Sequence, residues 1–155
     1  MSVSPMKRNL TIILQTDVVL IGIAALAFLL GEPHVEGRNA HATLFEIYFK
    51  DPFLAYAYIG SIPFFIALYQ IFKALAYVKQ NKTFSQATVK ALGIIKKCAG
   101  AFIAFVVGGM IFIALSNSED RPAGIFMGML ILLPSIIVAI AAAKFERIVK
   151  NTMPA

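Results

Sequence analysis

Residues 10–30 read LTIILQTDVVLIGIAALAFLL, an apolar run interrupted by Gln15 and Asp17. A carboxyl group in such a run has two chemical uses. Paired with a polar or cationic group on a neighbouring helix, it ties two helices together. Lining a cavity, it takes up a proton or binds a cation, because burial without a partner favours the neutral acid. At 1.5 Å per residue, Asp17 lies about 10 Å inside the run that begins at Leu10. An aspartate near the centre of a membrane span costs about 2.5–3.5 kcal/mol on insertion scales, and somewhat less at this depth. The next apolar run returns in the opposite direction. Gln70 then reaches a similar depth, with Lys73 about one turn nearer the membrane boundary. Asp17 with Gln70 and Lys73 is the economical pairing, and it would lock the first helical hairpin. Proton or cation uptake at Asp17 is the alternative.

Two prolines interrupt later runs. Pro63 and Pro134 each remove a backbone donor and free the carbonyl one turn earlier, at Ile59 and Leu130, with Ser61 and Ser135 at hand to satisfy it. Paired breaks can mark a midplane binding site, although membrane helices also carry proline as plain kinks. His34, Glu36, His41 and Glu46 are residue types that bind zinc, but their spacing matches no metal motif and a solvated polar loop is expected. No apolar run contains a histidine, which removes a transmembrane bis-histidine haem. GxSxG, HExxH, paired cysteines and a phosphate loop are all missing. No catalytic residue, cofactor or metal is therefore expected, and the chain reads as a non-enzyme. The single cysteine, Cys98, cannot form an internal disulfide; it reads as a small packing residue.

These residues must be positioned by the apolar runs themselves. The chain has 155 residues, 59% of them hydrophobic and 14% charged, which is the composition of a membrane protein. Four runs stand out, at about 10–30, 53–75, 98–116 and 123–143, each near the twenty residues that cross a hydrocarbon core of about 30 Å. Only helices can cross here, because a helix satisfies its own backbone groups and no strand-like alternation is visible. The expected fold is all-α: a four-span transmembrane helical bundle forming a single integral membrane domain. Lys7, Arg8 and Ala40-His41-Ala42 imitate a secretory signal, but the apolar run is too long and the cleavage-like site too distant. A retained first span is expected.

Charge fixes an orientation. With the N-terminus inside, the inner side holds Lys7, Arg8, Lys73, Lys79, Lys82, Lys90, Lys96, Lys97, Lys144, Arg147 and Lys150, opposed only by Glu146. The outer segments hold Arg38, Lys50 and Arg121 against Glu32, Glu36, Glu46, Asp51, Glu119 and Asp120. This is the positive-inside bias, and it predicts both termini in the cytoplasm. The net charge of +6 thus reflects membrane orientation and attraction to anionic lipid, and direct nucleic-acid binding is not expected.

Residues 31–52 form the one sizeable outer loop, whose second half is aromatic enough to lie in the headgroup layer. NKTF, 81–84, turns the chain, and Ser85 is placed to cap the next helix, with Phe84 and Val89 as a hydrophobic staple. One helix from Ser85 to Ser116 would be about 48 Å long, so residues 85–97 should lie on or project from the inner surface. NSEDRP, 117–122, is a tight outer turn. Gly100, Ala104 and Gly108, and then Gly124 and Gly128, recur at helix-packing spacing. They serve contacts within one bundle or, alternatively, a homodimer. Pro63, Ile66, Lys73, Val78 and Lys79 share their offsets with Pro134, Ile137, Lys144, Val149 and Lys150, which suggests a weak parallel repeat of two hairpins.

The block IPFFIALYQIFKALAYVKQNKTFSQATVKALGIIKKCA, 62–99, resembles a bacterial four-helix membrane family catalogued as domain of unknown function twenty-nine seventy-five. IPFFIALYQ, the lysine-rich hairpin and FSxxxVKAL are the specific parts. The resemblance implies a bacterial plasma-membrane protein, often encoded beside a small helix-turn-helix regulator, and it implies no catalytic residues. Two function classes follow. The first is a non-enzymatic sensing, regulatory or protective membrane protein with a basic cytoplasmic hairpin. The second is a small proton- or cation-coupled transporter using Asp17.

Overall fold

The computed structural model describes residues 5–35, 41, 43, 52–117 and 119–153, with side chains described at 5–31, 41, 43, 54–117 and 119–153. Four helices account for nearly all of them: α1 Pro5–Val35, α2 Pro52–Lys79, α3 Gln86–Leu115 and α4 Arg121–Thr152. No strand occurs among the described residues. Each helix is long and apolar enough to cross a membrane, and each extends beyond the run that predicts it. The outward faces are apolar, with Ile23, Phe112, Ile137 and Ile140 all more than half exposed. A water-soluble monomer rarely shows such continuous apolar surface.

Consecutive helices pack antiparallel. Tyr58 of α2 reaches Leu29 near the end of α1, and Gln15 near its start reaches Phe72. Gly60 and Gly108 set α2 against α3, facing Phe105 and Tyr56 respectively. Gly124 faces Ile113, Gly128 faces Met110 and Gly93 faces Glu146, so α3 and α4 stay in register along their whole length. The α3–α4 interface is the most extensive and the α1–α2 interface the smallest of the three. The start of α1 and the end of α4 therefore share one end of the bundle, the terminal end. The α1–α2 and α3–α4 connections lie at the other, the loop end.

The α2–α3 turn is built as its residues predict. Asn81 takes a positive φ of 59°, a conformation that asparagine tolerates better than most residues. Ser85 accepts a hydrogen bond from the Thr88 amide at 3.4 Å, while Thr88 Oγ1 donates back to the Lys82 carbonyl at 2.8 Å. Val89 is buried and Phe84 stays exposed.

Residues 86–97 do not bend away from the rest of α3. They continue α3 without a break, and Thr88, Val89, Ala91 and Ile95 are buried there. The last turns of α4 run alongside and bury Ala142, Glu146 and Val149. Packing against the last turns of α4 is what holds the segment in line with the rest of α3.

Both prolines are absorbed inside continuous helices. The serines do not serve the freed carbonyls. Ser61 Oγ donates to Tyr58 O at 2.6 Å and Ser135 Oγ to Ile131 O at 2.7 Å. A helical serine reaches the carbonyl three or four residues back, whereas Ile59 and Leu130 lie two and five back.

Candidate functional site

The sequence singles out charge at one end of the bundle and polar groups within α1 and α2. Lys79, Lys82, Lys90, Lys96, Lys97, Lys144, Arg147 and Lys150 all fall in the last turns of α2, the first turns of α3, the last turns of α4 or the α2–α3 turn. The topology gathers them at the terminal end, where Lys82, Lys90, Lys97, Lys144, Arg147 and Lys150 are exposed. Inside this cluster sits a group that the sequence reading treats only as a minority charge. Glu146 is 8% exposed, and its carboxylate pairs with Lys96 Nζ at 2.8 Å and Lys150 Nζ at 2.9 Å. It lies across from Gly93 of α3, where a β-carbon would stand 3.8 Å from the carboxylate, an ordinary van der Waals contact. Glu146 lies past the apolar run 123–143. The Lys96 ammonium, and then that of Lys150, hold its carboxyl below the usual range. The signal that would have found it is the i,i+4 spacing to Lys150 in a segment otherwise basic.

Within α1 the polar roles are exchanged. Gln15 is 5% exposed and donates its Nε2 hydrogen to the Phe72 carbonyl of α2 at 3.2 Å. Asp17 is exposed, and no hydrogen bond or ion pair is formed by it among the described residues. The expected Asp17–Gln70–Lys73 grouping is therefore not assembled. Two residues along a helix is about 200° around it, so when Gln15 faces α2 Asp17 turns away. Lys73 instead lies 5.5 Å over the Tyr69 ring of its own helix, and Gln70 is half-buried.

The glycine rows divide. Gly108, Gly124 and Gly128 lie against side chains of this same chain, with Tyr56 Oη 2.6 Å and Met110 Cγ 2.5 Å from where β-carbons at Gly108 and Gly128 would stand. Gly100 has nothing within 4 Å, and Ala104 is exposed.

What the sequence reading does not foresee is a cleft toward the loop end, of about 460 Å³, to which all four helices contribute. Ala25 and Phe28 come from α1, Tyr56, Gly60 and Phe64 from α2, Phe105 and Met110 from α3, and Met127 and Gly128 from α4. Tyr56 braces it by donating to the Phe105 carbonyl at 2.8 Å, with the two rings 5.1 Å apart. The wall is almost wholly apolar and holds no titratable carboxyl; Asp17 is not part of it. The periodic placing of Tyr56, Gly60 and Phe64 was the available signal, but glycine beside aromatics reads equally as close packing. Of the loop residues, His41 is exposed; the side chains of His34, Glu36 and Glu46 lie outside those described. No group of three or more metal-binding side chains occurs among the described residues.

Comparison with known proteins agrees with this architecture. The chain is 38% identical over 152 residues to the uncharacterised membrane protein YoaS of Bacillus subtilis (strain 168), covering 96% of this chain and 94% of that one. No solved structure matches it. Residues 38–153 match the family described as protein of unknown function DUF2975. With four apolar helices and this match over most of its length, the chain belongs to the DUF2975 family of membrane proteins.

Proposed function

We propose that this protein is a non-enzymatic sensing or regulatory protein of the bacterial plasma membrane, with both termini and the basic end in the cytoplasm. The observation that supports this reading is the gathering of Lys82, Lys90, Lys97, Lys144 and Arg147, all exposed, at the terminal end. Such a surface attracts anionic headgroups at about 1 kcal/mol per well-placed cation and suits an acidic face of a cytoplasmic protein. The family resemblance points to a small helix-turn-helix regulator as that partner. The outer loop is the part available to meet a signal. Asp17 gives transport little support, because it faces outward and does not line the cleft.

Affinity purification of the full chain from native membranes tests the proposal. A helix-turn-helix protein should co-purify and be lost when Lys82, Lys90 and Lys97 are together changed to Gln. An empty purification would count against the partner. Gradient-driven uptake in proteoliposomes that disappears in Asp17→Asn would replace this reading with a transporter.

A further inference from the structure

The basic end is not uniform, and Glu146 divides it. Lys96 and Lys150 spend their charge on its carboxylate, at 2.8 and 2.9 Å. Lys144 and Arg147, on either side of Glu146 in α4, are exposed, and their side chains form no hydrogen bond or ion pair among the described residues. Spacing sets their place on the helix. Leu133, Ile137, Ile140, Lys144 and Arg147 follow one another at intervals of four and three residues, which keeps them on one ridge of α4. Leu133, Ile137 and Ile140 are each more than half exposed, and α4 carries no charged residue between Arg121 and Lys144. The two cations therefore stand where a long apolar outer face ends.

What meets them follows from that continuity. An exposed face of this length and apolarity belongs in hydrocarbon, and the next layer along it is that of the lipid phosphates. Lys144 and Arg147 lie about 4.5 Å apart along the helix, within a headgroup layer roughly 5–8 Å deep. Phe145 and Ile148, interleaved with them, are exposed as well. Apolar side chains alternating with cations suit the boundary between acyl chains and headgroups. An acidic protein would have to come in along the bilayer surface to reach this ridge, whereas lipid already surrounds it. We infer that Lys144 and Arg147 form a binding site for an anionic phospholipid, with both cations on its phosphate and with Phe145 and Ile148 against its glycerol end. Lys96 and Lys150, neutralised by Glu146, take no part. This deepens the proposed function and rests on its placement of the basic end at the membrane surface, but it needs no cytoplasmic partner.

Native mass spectrometry of the purified full chain, delipidated in mild detergent and re-exposed to defined lipids, tests it. Phosphatidylglycerol should be retained several-fold more than phosphatidylethanolamine with the same acyl chains. Lys144→Gln together with Arg147→Gln should abolish that preference. Lys96→Gln together with Lys150→Gln removes the same charge and should leave the preference largely intact. Equal loss in the two charge-matched pairs, which is what net charge alone produces, overturns the site. So does a preference that survives the loss of Lys144 and Arg147, or no preference in the wild type. A thermal melt of each variant separates lost binding from lost folding. If Lys96→Gln with Lys150→Gln does not fold, Lys82→Gln with Lys90→Gln, at exposed positions, serves as the charge-matched pair. The purified chain is measured alone, so the absence of a cytoplasmic partner leaves this outcome unchanged, and loss of the lipid preference leaves the co-purification unchanged.

Discussion

Glu146 shows how one side chain sets the cohesion of the terminal end. It draws a lysine from α3 and a lysine from its own helix onto one buried carboxylate. Removing one partner of a fully buried pair costs about 3–5 kcal/mol. Here the ammonium groups of Lys96 and Lys150 can rehydrate, so Glu146→Ala should cost about 1–2 kcal/mol, nearer the value of a hydrogen bond to a charged group. A lowered melting temperature in mild detergent would register it. The pH dependence has a definite sign. The folded carboxyl is held below its ordinary value, so its contribution is complete above the unfolded value near 4.3 and is lost as pH falls through the lower folded one. Wild type should therefore lose its advantage over Glu146→Ala on acidification below about pH 4, and an advantage that vanished near neutrality would contradict the pairing. Asp17 behaves oppositely. With no partner among the described residues, Asp17→Asn should leave the melting temperature essentially unchanged, whereas a clear loss would reinstate a structural pairing.

At the scale of helices, the small residues of α3 and α4 divide into those that seat a neighbour and those that do not. A β-carbon at Gly128 would meet Met110 Cγ at 2.5 Å, too close for the flexible end of the side chain alone to give way. Gly128→Ala should destabilise the α3–α4 pair by about 1–3 kcal/mol, as overpacking does. Gly100→Ala, with open space around it, should be neutral or slightly stabilising in a thermal melt, since alanine favours the helix. A destabilised Gly100→Ala, accompanied by loss of a dimer in sizing or cross-linking, would revive that row as a contact between copies. The helices themselves were legible in the sequence, because four runs of span length leave no other fold for the backbone. Ser85 and the turn before it were legible for the same reason, each residue matching one local geometry. The exchange of Gln15 for Asp17 was not legible, since both fit the depth and only the rotation of α1 about its axis decides between them. The cleft was hidden too, because the same glycines and aromatics describe a filled seam and an open one.

At the scale of the whole molecule, the asymmetry between the two ends is the property that governs placement in the bilayer. The turn at residues 80–85 and the last turns of α4 put the basic cluster at the terminal end, while the α3–α4 turn carries Asn117, Glu119 and Asp120 at the loop end. Lysine and arginine flanking spans hold their side in the cytoplasm, and exposed cations there gain further from anionic lipid. The α3–α4 pair is the most tightly joined part of the bundle, so its two ends should report orientation together. In a Cys98→Ser background, Asn117→Cys should react with a membrane-impermeant maleimide on intact cells, and Asn81→Cys only after permeabilisation. Both positions are exposed, so a failure to label reflects the side of the membrane and not burial. Labelling of Asn81→Cys on intact cells would put the lysine-rich hairpin outside, where no cytoplasmic partner could reach it, and would remove the basis of the proposed regulatory role.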